Sequence, residues 1–344
     1  MTKIELSNMR RGAYIMMTMF AGLLSIMTAC TDDSVVKEST VPPAGEEITI
    51  HATQDATRMD YVDNGANGIS MSWSSDDAFS LYNPENQVAG RFDIDSETID
   101  HHHADFHGTI PAGLEEDNRV LAVYPAGLEV VADKGVALDL SVQNLIIGAD
   151  AVPNTDYQFL VAQANYTSNI NLGFSYLTST LTLDLSFDAS TVIKNIYLYA
   201  KNGLYNRRYV RFGTGEVSLG RLDRIAATNL PTSAVNSLKT NLALFSGKMT
   251  SVSLVLETDN GFLVYKTKGE KDLQAGTRYT LTVGDEDWEH VTPLYIRGTV
   301  VNGDISGWDT PIALTPIPHE EGAYEYRGHL HAGEYKILNQ KEWE

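Results

Sequence analysis

Apolar and polar residues alternate with a period of two along most of this chain. Ile48-Thr49-Ile50-His51-Ala52, Ile69-Ser70-Met71-Ser72-Trp73 and Phe79-Ser80-Leu81-Tyr82 open the pattern. Thr180-Leu181-Thr182-Leu183-Asp184-Leu185-Ser186-Phe187 is its clearest run, and Ile196-Tyr197-Leu198-Tyr199 follows. Val252-Ser253-Leu254-Val255-Leu256, Phe262-Leu263-Val264-Tyr265 and Tyr279-Thr280-Leu281-Thr282-Val283 continue it. Successive side chains of a strand point to opposite faces, so this alternation of β-branched and aromatic residues predicts strands with one buried face. Asp63-Asn64-Gly65, Lys201-Asn202-Gly203 and Asp259-Asn260-Gly261 supply turn chemistry between runs. Short strands without a long helical pattern predict an all-β chain of sandwich type. A short helix is expected only near residues 232–238.

The pattern changes towards both ends. Residues 31–46 are polar, contain Val41-Pro42-Pro43-Ala44-Gly45 and show no period, which predicts a flexible tether. An acidic stretch, Gly284-Asp285-Glu286-Asp287, then separates the last long alternation from a new opening at Thr292-Pro293-Leu294-Tyr295-Ile296-Arg297-Gly298. A boundary is expected there, with residues 47–284 forming the main β-sandwich region. Residues 292–344 are expected to form a short β-sandwich module that is either incomplete or borrows surface from the first region, because roughly fifty residues supply little core of their own.

The tether is preceded by a different kind of segment. Lys3, Arg10 and Arg11 lead an apolar stretch over residues 13–27, and Thr28-Ala29-Cys30 ends it. Positive start, apolar middle and small residues before a cut make residues 1–29 a signal peptide. The stretch is shorter than the about 20 apolar residues of a spanning helix. Cys30 is the chain's single cysteine, so it has no disulfide partner here. Leu24-Ser25-Ile26-Met27-Thr28-Ala29-Cys30 resembles a bacterial lipobox, which implies lipidation of Cys30 and a membrane partner through that lipid. Each buried methylene of such an anchor contributes about 0.8 kcal/mol, so several chains hold firmly where one holds weakly. Thr31-Asp32-Asp33-Ser34 resembles the surface-export signal of Bacteroidetes lipoproteins, implying an outer-membrane location exposed on the cell surface.

Charge narrows the partners. The 344 residues carry a formal net charge of −20, and the signal holds more cations than anions. An acidic surface repels nucleic acid and anionic lipid, so neither is an expected partner. Without disulfides, stability must come from apolar burial, and 43% hydrophobic residues suffice for a core.

Residues 47–283 resemble the fimbrillin-like family of Bacteroidetes surface lipoproteins. The resemblance is carried by Ala56-Thr57-Arg58 after the first strand, Ile69-Ser70-Met71-Ser72-Trp73 and Asp77-Ala78-Phe79-Ser80-Leu81-Tyr82. Val123-Tyr124-Pro125-Ala126, Asp156-Tyr157-Gln158-Phe159-Leu160-Val161-Ala162 and a strand from Phe174 to Phe187 extend it. Leu273-Gln274-Ala275-Gly276-Thr277-Arg278-Tyr279-Thr280-Leu281-Thr282-Val283 closes it. The family implies stacked β-sandwich units, no catalysis, and homologous fimbrial subunits as partners. Its pilus-forming members are cut after an arginine near the first strand, and the released strand is replaced by one from the next subunit, a strand added at a sheet edge. Arg58 stands where that cut would fall. It also reads as a solvated loop arginine, the commoner role for an arginine on an exposed loop.

Residues 292–344 resemble, in part, the starch-binding repeats of SusE/SusF-type outer-membrane lipoproteins. Leu294-Tyr295-Ile296-Arg297-Gly298, Gly307-Trp308-Asp309, Pro311-Ile312-Ala313-Leu314, Tyr324-Glu325-Tyr326-Arg327-Gly328 and Leu330-His331-Ala332-Gly333-Glu334-Tyr335-Lys336-Ile337 carry it. Such modules imply a glycan ligand stacked on aromatic rings, whose apolar faces suit sugar C–H groups. Trp308 and Trp343 are the candidate platforms, with Lys336 and Arg327 as hydroxyl partners. Trp308 also reads as a tryptophan packing its own Gly-Trp turn.

No catalytic, metal or cofactor signature appears. His101-His102-His103 with Asp105 and His107 lacks the spacing of a structural zinc site and reads as surface histidines. Asp76-Asp77, Glu115-Glu116-Asp117 and Asp285-Glu286-Asp287 do not follow the alternating acidic pattern of a calcium loop. No nucleophile elbow, phosphate loop or zinc-protease motif is present. Arg207-Arg208 and Arg211, flanking Tyr209 and Phe212, read as decoration of a strand. The expectation is a non-catalytic surface lipoprotein, a fimbrillin-like adhesin or fimbrial component with a carbohydrate-recognition module. The alternative is a glycan-capture lipoprotein of a polysaccharide uptake system.

Overall fold

The computed structural model describes residues 45–54, 72–100, 102–148 and 153–339. Cys30, Arg58 and Trp343 lie outside them, as do His101, the turn signal at 63–65 and the Ile69 to Met71 part of one expected strand. The described chain is all-β, with one short α-helix and a few 3-10 turns.

The first strands are β1 (Glu47–Gln54), β2 (Ala78–Tyr82), β3 (Ala89–Ile94), β4 (His103–Thr109) and β5 (Arg119–Tyr124). Next come β6 (Val130–Val131), β7 (Gly135–Asp139), β8 (Val142–Asn144), β9 (Leu160–Asn165) and β10 (Asn171–Tyr176). A closed barrel runs β1-β10-β9-β5-β2-β3-β4, with β1 parallel to β10 and antiparallel to β4. Alternate side chains fill it: Ile50 and Ala52 from β1, Ala104 and Phe106 from β4, Leu172 and Phe174 from β10.

Ser72 and Trp73, the described part of one expected strand, lie in no strand. Trp73 enters the interior instead. Its ring meets Phe106 edge-on at 5.0 Å and Phe174 at 5.8 Å, and its Nε1–H donates to the His102 carbonyl at 3.1 Å. That bond satisfies the N–H of a buried indole.

Strands β2 and β5 are walls shared by two cores. Phe79 and Leu81 face the barrel, while Tyr82, Leu121 and Val123 join the larger core beyond it. All five residues of β2 are therefore buried, where simple alternation predicts one wet face.

The larger core lies between packed sheets of the next strands. These are β11 (Thr178–Thr191), β12 (Ile193–Asn202), β13 (Tyr205–Val210), β14 (Val217–Leu222), β15 (Ile225–Thr228) and β16 (Val235–Phe245). β17 (Gly247–Thr258), β18 (Gly261–Lys266), β19 (Glu270–Leu273), β20 (Arg278–Val283) and β21 (Glu289–Val291) complete them. A three-stranded sheet, β16-β11-β20, faces a seven-stranded one ordered β21-β18-β17-β12-β15-β8, with β19 on β17. Leu181, Leu183 and Leu185 of β11 meet Ile196, Leu198, Leu254 and Leu256 across the layer, an all-β sandwich arrangement. A four-stranded sheet, β14-β13-β7-β6, adds Val136, Leu138 and Val210 to the same core.

Three local expectations meet different outcomes. The helix near residues 232–238 is not formed: β16 runs from Val235, pairing Leu238 with Leu185 and Leu242 with Leu181. The expected strand from Phe174 to Phe187 is divided at Leu177 into β10 and β11, which enter different sheets. Asp259-Asn260-Gly261 does turn a hairpin, joining β17 to β18 with Thr258 opposite Gly261.

The C-terminal stretch contributes β22 (Leu294–Arg297), α1 (Thr299–Asn302), β23 (Ile312–Pro316), β24 (Tyr324–Glu325) and β25 (Lys336–Leu338). They form a sheet ordered β24-β23-β22-β25 around Ile296, Val300, Val301 and Leu314. Ala313 packs on Tyr199, Val255, Phe262 and Val264, the outer face of the seven-stranded sheet. The central strand β17 is thereby buried on both sides.

Candidate functional site

Strand β1 is the stave on which the barrel closes. Its inward residues Ile50 and Ala52 are 0% and 2% exposed. Gln54, also buried, accepts a hydrogen bond from the Tyr176 hydroxyl at 3.3 Å. On the outer face three of the cross-strand pairs with β4 use a polar bridge. Thr49 Oγ1 lies 2.9 Å from His107 Nδ1, His51 Nδ1 lies 2.5 Å from Asp105 Oδ1, and Thr53 Oγ1 lies 3.1 Å from His103 Nδ1. His107 Nε2 lies 3.3 Å from Asp95 Oδ2. These histidines stitch one strand to its neighbour, each aligned by the antiparallel register. Among the described residues no group of three or more His, Cys, Asp or Glu side chains could hold a metal ion.

The other neighbour, β10, pairs with β1 over four residues, from His51 opposite Asn171 to Gln54 opposite Phe174. Beyond Gln54 the chain passes to the segment containing Arg58 before it returns at Ser72. A chain cut in that segment would leave β1 held to the rest of the barrel by hydrogen bonds and apolar contacts alone. Its departure would expose the edges of β4 and β10 and a slot lined by Ala104, Phe106, Leu172 and Phe174.

The described candidate glycan residues, Trp308, Lys336 and Arg327, are not all brought to one place. Trp308 is half-buried at the end of a 3-10 turn, Ile305–Trp308. Its carbonyl accepts a hydrogen bond from Arg297 Nη1 at 3.1 Å. Gly307 is required beside it, since a Cβ there would stand 2.1 Å from the Gly298 carbonyl oxygen. Lys336, exposed on β25, lies opposite Arg297 in the ladder and so flanks the Trp308 turn. Arg327 follows β24 at the other edge of the same sheet.

The Arg327 guanidinium is already engaged. Nη1 lies 2.6 Å from Asp223 Oδ1, and Nη2 lies 2.8 Å from Glu325 Oε2. Glu325 Oε1 in turn accepts from Tyr199 at 2.8 Å and from Arg224 at 2.9 Å. Arg327 therefore ties the C-terminal sheet to the segment between β14 and β15. The sequence carries no signal for this network, because its two halves, Asp223-Arg224 and Glu325 with Arg327, are distant along the chain.

Burial acts on Asp223 to raise its pKa, but hydrogen bonds from Arg327 and the Arg224 amide, with the charges of Arg327 and Arg221, outweigh it and hold the carboxyl below its usual range. Burial pushes the Tyr199 hydroxyl up, against the opposing pull of Arg224. Asp77, at the barrel rim, is raised by burial despite accepting hydrogen bonds from the Ser74 amide and the Tyr124 hydroxyl.

No protein-family model matches the chain, and no curated protein matches it in sequence. Several solved structures overlap it in part. A Bacteroides ovatus protein provisionally assigned to cell adhesion shares 17% identity over 72% of this chain and 96% of its own, with a TM-score of 0.41. A Bacteroides uniformis protein with the same provisional assignment shares 15% over 71% and 96%, with a TM-score of 0.41. A fimbrial assembly protein from Parabacteroides distasonis shares 10% over 69% and 92%, with a TM-score of 0.32. Overlaps of this size do not decide function, which has to be argued from the chain's own strands.

Proposed function

We propose that this chain is a non-catalytic component of the cell surface, a fimbrillin-like adhesin or fimbrial subunit held to the outer membrane by a lipid on Cys30. The observation that carries the reading is the position of β1. One strand, at the N-terminal edge of the described chain, completes a barrel between β10 and β4. The only covalent link forward from it runs through the segment containing Arg58.

In this reading cleavage after Arg58 separates the lipid-bearing end from the rest, and an equivalent strand of another subunit takes the place of β1. Backbone hydrogen bonds to both edges supply affinity, and pockets for Ile50 and Ala52 supply register. The module at residues 292–344 acts as a glycan-recognition unit, with Trp308 and Trp343 as stacking surfaces and Lys336 as a hydroxyl partner. Arg327 serves as the tie between module and sandwich in this scheme and not as a hydroxyl partner.

Arginine-specific proteolysis of the full chain tests the reading. Cleavage at Arg58 should convert monomer to higher assemblies by light scattering and electron microscopy, and Arg58→Ala should stay monomeric under the same protease. Cut protein that remains monomeric at high concentration would exclude the polymerising role. Affinity electrophoresis in soluble starch and other glycans, with Trp308→Ala and Trp343→Ala beside the parent, tests the module separately. A parent that migrates unretarded on every glycan would exclude recognition by residues 292–344.

A further inference from the structure

We infer that the outer face of the β14-β13-β7-β6 sheet is a binding groove for an acidic saccharide, one bearing a carboxylate or a sulfate. The groove has a volume of about 540 Å³ and is lined by Lys134, Arg207, Arg211 and Arg221 among its cations, with Asp133 and Asp139 as its only carboxylates. Small-molecule sites occupy about 300–1,000 Å³, so the size suits one or two sugar rings. Glu129, Asp139 and Asp223 pair with Arg207 and Arg221, which leaves Lys134 and Arg211 as two cations in the groove unpaired among the described residues. On a chain of net charge −20, these favour a negatively charged ligand.

Its geometry follows from the strand. Arg207, Tyr209 and Arg211 alternate along β13 and its continuation, so they project from the same face of the sheet. The ladder between β13 and β14 shifts register on both sides of Arg207. Gly220 permits this, because a Cβ at that position would stand 1.6 Å from the Arg207 carbonyl oxygen. Such an irregularity re-aims side chains and widens the space between strands. Lys134 and Arg207 lie over the Tyr209 ring, at 5.2 and 5.6 Å from its centre, which fixes the ring's orientation.

Two of the four cations are already engaged. Arg207 is committed to Glu129 and Asp139, and Arg221 to Asp223. Arg211 and Lys134 hold no ion pair among the described residues. A planar guanidinium binds a carboxylate or sulfate through two parallel hydrogen bonds. The remaining lining is suited to hydroxyls. Asp139 and Asp133 accept from them, and Ser141 and Ser218 donate or accept. Leu219, 76% exposed on the same wall, offers an apolar contact for the C–H face of a ring. A simple inorganic anion would use the cations and leave these other groups idle.

Isothermal titration of the full chain tests this with four probes. They are a hyaluronan tetrasaccharide (carboxylate only), a chondroitin 6-sulfate tetrasaccharide (carboxylate and sulfate), cellotetraose (neutral) and sodium sulfate (anion only). At least one acidic tetrasaccharide should bind at least tenfold more tightly than cellotetraose and sodium sulfate. Arg211→Gln should weaken it at least fivefold with an unchanged melting temperature, and Trp308→Ala should leave it unchanged. The hyaluronan and chondroitin arms separate carboxylate from sulfate recognition. Equal binding of cellotetraose, equal binding of sodium sulfate, no binding of either acidic probe, or an Arg211→Gln variant that binds like the parent would overturn the inference. Binding lost with Trp308→Ala and kept with Arg211→Gln would also overturn it, and would support glycan recognition by residues 292–344.

Discussion

Arg224 Nη1 lies 2.9 Å from Glu325 Oε1, and the two side chains are only 12% and 18% exposed. Tyr199 donates to the same carboxylate oxygen, and the Arg224 guanidinium stacks 4.1 Å from the centre of the Tyr197 ring. A mostly buried carboxylate with two charge-assisted partners is expensive to disturb, because the partners it leaves behind keep their desolvation cost. Glu325→Gln should destabilise the chain by about 2 kcal/mol, measured by urea unfolding. Tyr199→Phe should cost less, and the double variant should fall short of the sum, since both act on one oxygen. Amide exchange in β23 and β24 should quicken before that of β17, because these contacts join the C-terminal sheet to the sandwich.

The same network sets a pH dependence. Asp223 is held below its ordinary value of 3.8, so its ionised form contributes stability above that value and loses it as pH falls through the lower folded value. Asp77 works in the opposite sense: its raised folded value gives a contribution complete below 3.8 and lost as pH rises through that raised value. Asp223→Asn should therefore shrink the drop in urea midpoint between pH 6 and a pH about one unit below 3.8, whereas Asp77→Asn should not shrink it. An unchanged drop in the Asp223 variant would show that its ion pairs with Arg221 and Arg327 add nothing to stability.

How much of this was legible in the sequence depended on how many faces a strand buries. β4 reads directly: Ala104 and Phe106 turn inward, while His103 and His107 stay exposed. β5 does not, because Leu121 and Val123 serve one core and Val120 and Ala122 the other. The misread helix has a physical cause as well. Val235, Leu238 and Leu242 fall at helical spacing, yet the strand buries Leu238, Thr240, Leu242 and Leu244 on one side against β11. Arg327 carried no local clue, since its partner Asp223 is brought to it by tertiary packing. The Arg207, Tyr209, Arg211 alternation was visible, but only the sheet around it shows a concavity.

Trp73 should be the costliest ring of the barrel to trim. It touches Phe106, Phe174 and Tyr124, the last at 5.7 Å, and it satisfies the His102 carbonyl. Trp73→Phe keeps an aromatic ring but removes the N–H donor and part of the edge contacts. A loss of about 2 kcal/mol is expected, seen as a lower urea midpoint with an unchanged slope. Substituting an exposed tyrosine such as Tyr335, 61% exposed, by phenylalanine should change nothing measurable.

The removable-stave reading of β1 makes a sharper demand than stability alone. Ile50 is fully buried and points between β4 and β10, while His51 beside it faces outward and is bonded to Asp105. Ile50→Ala in the intact chain should cost about 2–5 kcal/mol, as for other buried large-to-small changes. His51→Ala should cost less than about 1 kcal/mol, as for an exposed pair. If β1 can leave after a cut at Arg58, the same ranking must reappear in binding. A synthetic peptide of residues 45–54 should return to the cut chain and restore its melting temperature. The Ile50→Ala peptide should bind at least about 30-fold more weakly, since every 1.4 kcal/mol is tenfold, and the His51→Ala peptide should bind within about fivefold of the parent. Equal affinities for all three peptides would mean that the side-chain slot does not set register, leaving β1 a covalent part of the barrel with no role in exchange.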